Sequence, residues 1–463
     1  MSLRPSILLL ALLAAPALAA AESAVPELPA ITPGPPVTLV EALRSAAARN
    51  AGLQALRVEI DKAQAGLAVA RALLWPRAQA GLQYSRADHS DQMDLAFPGT
   101  PGTAIVIRRQ DELSGSLGVS LPLLAPQAWN AVATARHGER LAELSVEGVR
   151  RELLLGVAQA FYAAQTSRSL VGMYAEQVRA AAQQLEVARA RSDSGAGLRL
   201  DVIRAETDLA QTRQSHRDAL LALDTARDAL AVLAGRSELL LPAGGLELPV
   251  PPLDEAGLLA RARGERIDLE AKAEGVELAD QRLTGSLSAL LPTVSAAWQA
   301  SYQLTEPAGM GSTDRSRWTG LLTLNVPLFD KVSLANIRSS RAALTQARLQ
   351  EEDARVQADK QVRQALRSYR TAAAQVGLAE GRVRLAREGL QLAQAAFSAG
   401  AGSSLEVSEA RRALVSAEVG LATAGLQARG SLAALQQSTG ADLLGLLEAE
   451  GTAGALVPLP VPG

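Results

Sequence analysis

Along the middle of the chain, apolar positions step by four and three in alternation: Leu153, Val157, Ala160, Ala164, Ser167, Val171, Tyr174, Val178, Ala181, Leu185 and Ala188, with Ser167 the one polar member. A seam of that period is the contact stripe of a coiled coil, and its alanines let helix axes approach closely. It predicts a helix over about 130–192, and a second long helix follows over about 333–398. At 1.5 Å per residue each runs on the order of 90 to 100 Å. Each closes on a glycine turn, Gly195-Ala196-Gly197 and Gly400-Ala401-Gly402, after which a helix returns to Gly235 or Gly440. Glycine suits such a turn because it takes positive φ without a Cβ clash. Two helical hairpins, 130–235 and 333–440, are expected, with exposed tips at Gly195, Ala196, Gly197 and Leu198 and at Gly400, Ala401, Gly402 and Ser403.

Elsewhere the period falls to two. Ala80, Leu82 and Tyr84 alternate with Gln79, Gly81, Gln83 and Ser85, and Leu117, Val119 and Leu121 with Ser116, Gly118 and Ser120. Between them lies a loop carrying Pro98, Gly99, Pro101 and Gly102. Further on, Val294, Ala296, Trp298, Ala300, Tyr302 and Leu304 oppose Ser295, Ala297, Gln299, Ser301 and Gln303. Trp318, Gly320, Leu322, Leu324 and Val326 then oppose Arg317, Thr319, Thr323 and Asn325, Leu321 being the exception. These are strands, forming β-hairpins over 77–124 and 293–328. Strands of about ten residues, apolar on one face with aromatics at their ends, fit the wall of a bilayer-spanning barrel. A soluble hairpin packed on the helices fits them as well. Four strands cannot close a barrel, since roughly eight are the minimum, so a spanning wall requires several chains. On that reading Leu82, Tyr84, Leu117, Val119, Trp298, Tyr302, Trp318, Leu322 and Leu324 face lipid.

The pattern occurs twice. Pro122 to Gly235 lies on Pro327 to Gly440 at a constant offset of 205 without a gap, and Leu53, Ala63 and Pro76 match Leu269, Ala279 and Pro292 at an offset of 216. The difference in length is confined to the segment between Pro76 and Pro122. Units of about 200 residues are too long for a solenoid repeat and read as a pseudo-symmetric pair. The copies are placed at 38–240 and 254–444, joined by a proline-rich linker at 241–253. Each begins with helix: Thr38 is the N-cap of the first, Glu41 completes a capping box, and the pattern runs through Asn50 to Leu74 before Trp75-Pro76 stops it. Residues 1–19, with Arg4, an apolar run from Ile7 to Ala15, and Ala17-Leu18-Ala19, have the grammar of a cleaved signal peptide. That run is short for a membrane anchor. Residues 20–37 form a proline-rich tether, and 445–463 a tail.

Composition narrows the chemistry. The net charge is −2, with 46 basic and 48 acidic residues, so no global basic field draws nucleic acid. There is no cysteine, hence no disulfide framework, no thiolate chemistry and no lipidated cysteine. Three histidines, His89, His137 and His216, are scattered over a loop and two long helices, and neither a catalytic triad nor metal-ligand spacing can be built from them. Arg86, Asp88, His89, Asp91 and Asp94 cluster in the first β-hairpin loop, where a solvated surface is the better reading and metal binding the alternative. No enzyme, cofactor or metal centre is expected.

The order of helix, β-hairpin and helical hairpin, repeated after a linker, carries further signatures: strand exits Leu121-Pro122-Leu123 and Val326-Pro327-Leu328, and tips Gly195-Ala196-Gly197-Leu198-Arg199-Leu200-Asp201-Val202 and Gly400-Ala401-Gly402-Ser403-Ser404-Leu405-Glu406-Val407. In this the chain resembles the TolC-like outer-membrane efflux proteins, over about 38–444. The resemblance implies a mostly helical fold with a small β component: a homotrimer whose four strands per chain build one twelve-stranded barrel in the outer membrane of a Gram-negative bacterium. The coiled hairpins would form an α-barrel extending into the periplasm. It implies a passive exit duct docked to a periplasmic adaptor and an inner-membrane pump, with a periplasmic coiled-coil scaffold as the alternative. By position after the second turn, Glu406 and Glu409 match acidic residues ringing the constriction, and Asp201 a position that holds the closed gate. Such a carboxylate ring favours cations; two solvated acids on a helix are the alternative. Phe397 and Gly402 stand where the unlipidated archetype can use tyrosine and arginine, so its gate-locking contacts cannot form here.

Overall fold

The computed structural model describes residues 28–95, 103–244, 248–306 and 314–453. The signal segment, the first part of the tether, the loop positions Pro98, Gly99, Pro101 and Gly102, and the last ten residues of the tail lie outside them. Along the chain run β1 (Pro36–Val37), α1 (Leu39–Arg49), α2 (Ala51–Ala72), β2 (Arg77–Arg86), β3 (Asp91–Leu95), β4 (Thr103–Arg108), β5 (Asp111–Leu124), α3 (Pro126–Asp193), α4 (Arg199–Leu233) and β6 (Leu241–Pro242). The second copy supplies α5 (Glu255–Glu265), α6 (Ile267–Ser288), β7 (Thr293–Gln303), β8 (Ser316–Asn325), α7 (Lys331–Ser398), α8 (Ser404–Ser438) and α9 (Leu443–Ala453). Both long helices, α3 and α7, have 68 residues, and both returning helices, α4 and α8, have 35. The fold is mostly helical with a small β part, as the periodicities require.

The residues group into two compact units. One comprises 34–165, 226–382 and 420 onward, and holds the sheet and the main core. Its centre is built from Leu39 and Leu43 of α1, Leu154, Phe161 and Tyr162 of α3, Leu230 of α4, Leu366 of α7, Leu435 of α8 and Leu443 and Leu447 of α9. Two expectations change here. The single helix through Asn50 is two, because Asn50 is extended (φ −62°, ψ 118°) and caps α2 through Leu53 N–H. Arg266, extended too (φ −76°, ψ 119°) but without a side-chain cap, breaks α5 from α6. The cause lies in the returning helices. Gly235 (φ 67°) and Gly440 (φ 87°) turn directly against these breaks, and a Cβ would fall 2.7 Å from the Arg49 carbonyl carbon or 2.6 Å from that of Glu265. Asn50 donates to the Leu233 carbonyl at 3.1 Å and Arg266 to that of Ser438 at 3.2 Å, positions that correspond under the duplication.

The tail reading changes too: 443–453 is α9, and Leu443 and Leu447 are buried. It is pinned by Arg150, whose guanidinium bridges Glu147 and Asp442 (2.7 Å), and by Arg44 of α1 on Glu448 (2.8 Å). Nor does the tether simply trail. Its last residues, β1, pair in parallel with β6 from the linker.

The sheet order is β2-β5-β7-β8, all antiparallel. Residues opposite one another share a face, and the register places Leu82 level with Gly115 and Tyr302, Leu117 with Ala300 and Trp318, Val119 with Trp298, and Leu322 with Ala296. The other face carries Gln79, Gln83, Ser116, Gln299, Ser301 and Thr319. Pro122, which has no N–H for a central ladder, sits where the β5–β7 register shifts, as proline in a strand must. The first β-hairpin holds one element the alternation did not predict, the antiparallel ribbon β3–β4.

The other unit comprises 28–33, 166–225 and 383–419. Within it Val171, Val178, Ala181 and Leu185 of the seam are buried, Tyr174 partly so, against Leu209, Ala219 and Leu223 of α4, and Ala188 is buried as well. Leu28 and Ile31 of the tether pack onto these clusters.

Candidate functional site

The hairpin tips are built by two turns of matching geometry. Gly195 (φ 76°) and Gly400 (φ 78°) reverse the chain after α3 and α7. Beyond the second, Ser403 and Glu406 cap α8 reciprocally, Ser403 N–H donating to the Glu406 carboxylate at 3.2 Å and Glu406 N–H to Ser403 Oγ at 3.3 Å. Gly402 closes onto the end of α7: its N–H donates to the Ala396 carbonyl at 3.0 Å, and a Cβ would stand 3.0 Å from the Phe397 nitrogen. The phenyl ring of Phe397 receives the Arg191 guanidinium at 4.3 Å, a cation–π contact. Ser404 Oγ donates to Asp201 Oδ1 at 2.6 Å, tying the first turn of α8 to that of α4. Asp201 also faces Arg204 at 3.7 Å.

Between α3, α4 and α8 lies a cleft of about 1320 Å3. Tyr174, Val187, Ile203, Leu405, Val407 and Val415 supply apolar wall, and Arg191, Arg204, Arg411 and Arg412 the cations. Asp208 faces Arg412 at 3.8 Å. Burial holds the Arg411 guanidinium below the ordinary arginine pKa, against the opposing field of Asp208.

The residues singled out by sequence therefore separate. Asp201 is engaged across the hairpins and lines the cleft. Glu406 and Glu409 are exposed, and Glu406 is engaged in its own helix cap. Gly195, Ala196, Gly197, Leu198, Gly402 and Ser403 line the cleft mouth. In the first β-hairpin loop His89 pairs with Asp88 (2.8 Å) and Asp91 (3.4 Å), and Arg108 with Asp91 (3.1 Å); among the described residues no group of three His, Cys, Asp or Glu could hold a metal ion.

Sequence reading passed over Ser404, Arg191, Asp208, Arg411 and Arg412. A signal existed: under the offset of 205 they correspond to Arg199, Ala396, Ala413, Glu206 and Thr207. They are places where the copies differ in chemistry inside a frame that both retain.

On the sheet, the called residues Leu82, Tyr84, Leu117, Val119, Trp298, Tyr302, Trp318, Leu322 and Leu324 all fall on one face. All but Val119 are exposed, Trp318 to 71%. An apolar face of this extent marks contact with lipid or another chain. Among the described residues no helix is long and apolar enough to cross a membrane.

Comparison with known proteins adds the following. Residues 42–236 and 258–441 match the family model of the outer membrane efflux protein. The chain is 24% identical over 322 residues to the probable efflux pump outer membrane protein TtgC of Pseudomonas putida, and 27% identical over 326 residues to the outer membrane efflux protein BepC of Brucella suis, in each case over 68% of its own length. It spans 63% and 65% of the length of those relatives. The crystal structure of CusC matches with a TM-score of 0.72 at 19% identity, covering 87% of this chain and 92% of that one. The outer membrane protein VceC of Vibrio cholerae matches with a TM-score of 0.70 at 17% identity, covering 88% and 96%. The structural likeness is one of fold, and the family match takes in most of both copies: the chain belongs to the outer membrane efflux protein family.

Proposed function

We propose that the chain is the exit duct of an efflux or secretion assembly in the outer membrane of a Gram-negative bacterium. Three copies close their sheets into one spanning barrel, and their helical hairpins continue the conduit into the periplasm. The observation that carries this reading is the apolar face shared by β2, β5, β7 and β8, together with the open edges of β2 and β8. A four-stranded sheet leaves unpaired backbone at both edges, which lipid cannot satisfy; pairing β8 of one copy with β2 of the next satisfies it. A second stripe, Leu378, Leu385 and Leu392, is exposed at heptad spacing on α7 and suits packing against a neighbouring copy. Solute passes passively, driven by an inner-membrane pump, with a periplasmic adaptor gripping the tips around Gly195 and Gly400. The Ser404–Asp201 hydrogen bond and the Arg191–Phe397 contact stand in for the tyrosine and arginine contacts lacking here, and hold the tips together at rest.

The test is conductance of the purified protein in a planar lipid bilayer. Discrete channels, with outer-membrane fractionation, support the duct. Electrical silence and a water-soluble protein would establish a periplasmic coiled-coil scaffold in its place.

A further inference from the structure

The tip cleft has a chemistry of its own. Its lining includes four guanidinium groups, Arg191, Arg204, Arg411 and Arg412, against two carboxylates, Asp201 and Asp208, and both acids are spoken for. Asp201 accepts from Ser404 and faces Arg204; Asp208 faces Arg412. Arg191 lies over the Phe397 ring. That leaves Arg411, half-buried in the wall, reached by Asp208 only through space. A guanidinium presents five N–H donors, and partial burial strengthens its pairing with a charged acceptor. The same cleft is lined by Val407, Val415, Ile203 and Leu405, and its volume of about 1320 Å3 is large enough for a drug-sized body. Glu406 and Glu409, on the same helix, are not part of the lining.

We propose that this cleft binds an amphiphilic organic anion, a carboxylate or sulfonate carried on an apolar body, with Arg411 as its counter-charge. The anion supplies a charged acceptor for Arg411, and the apolar walls take the remainder of the molecule. If the chain is an exit duct, such anions belong to its cargo; only that last clause rests on the duct reading.

The full mature chain, reconstituted in nanodiscs, is titrated calorimetrically with naphthalene-1-sulfonate and with the neutral 1-naphthylmethanol. The anion binds with one site per chain. Arg411→Gln weakens it about tenfold or more, as loss of a charge-assisted hydrogen bond requires, and leaves the neutral probe unchanged; Arg411→Lys retains most of the affinity. Because Arg411→Gln could disturb folding, the unaltered chain is also titrated at rising salt, which screens the anion alone. Equal binding of both probes, or an anion affinity indifferent to both the substitution and salt, overturns the site. Bilayer conductance of the same preparation separates the two readings. A silent protein with charge-selective binding removes the duct and leaves the site, whereas a conducting one without charge preference does the reverse.

Discussion

His216 is 2% exposed on α4, and its Nδ1 has no hydrogen-bond partner among the described residues. Burial alone pushes its pKa below the ordinary 6.5, because the charged form is disfavoured away from water. The unfolded chain therefore binds a proton that the folded hairpin refuses. The stabilisation is fully present above about pH 6.5 and is lost as pH falls through the lower, folded value. The duplication places Leu421 at the corresponding position, so His216→Leu should remove this pH dependence. Hydrogen exchange over 171–185 and 209–223 checks it: protection that still falls between pH 7 and 5 in the variant would assign the effect elsewhere. Ser404→Ala deletes the donor to Asp201 and should raise the open-to-closed ratio of single channels about tenfold or more, as loss of a hydrogen bond to a charged group worth about 1.5–3 kcal/mol predicts; unchanged gating would mean that other contacts keep the tips together. Asp201 could be picked out because it matches a position of the family that the chain resembles. Its partner could not, because a contact between two coiled hairpins depends on their rotational phase, which the repeat of apolar residues within each hairpin does not encode.

Elements were legible where one period dominates, and this held for the long helices, the four sheet strands and the glycine turns. The break at Asn50 was not, because apolar spacing continues across it; the interruption comes from the Gly235 turn seated against Arg49 and Asn50. Gly235→Ala and Gly440→Ala each place a methyl group against that backbone at positive φ and should cost at least about 1–2 kcal/mol, read as a lower unfolding temperature. A shift in only one of the two would show that the copies do not share the device. The β3–β4 ribbon escaped notice because Asp91, Gln92 and Asp94 interrupt any apolar alternation. Helix α9 was hidden by the Gly451 and proline signals beside it, although Leu443 and Leu447 lie four apart as a buried helical face requires.

For the whole molecule, the two faces of the sheet give opposite expectations. Leu322→Arg, on the apolar face, should destabilise the membrane-inserted state by about 2–4 kcal/mol if it lies near the bilayer midplane. Thr319→Arg, on the polar face, should be tolerated. Folding into lipid vesicles, followed by protease resistance, distinguishes them, and equal loss in both would remove lipid from the apolar side. Family and architecture were readable in the duplicated order of elements, whereas the cleft was not, since its four arginines stand at positions where the copies part. The pairings that close the main core have a consequence for biogenesis. Strand β1 waits for β6, and Arg44 waits for Glu448, 404 residues later. Contacts so distant in sequence form late and slowly. The opening helix can dock on α3 and α4 early, but the side that meets α9 stays bare until that last helix follows, and a holdase in the periplasm would have to shelter it in the interval.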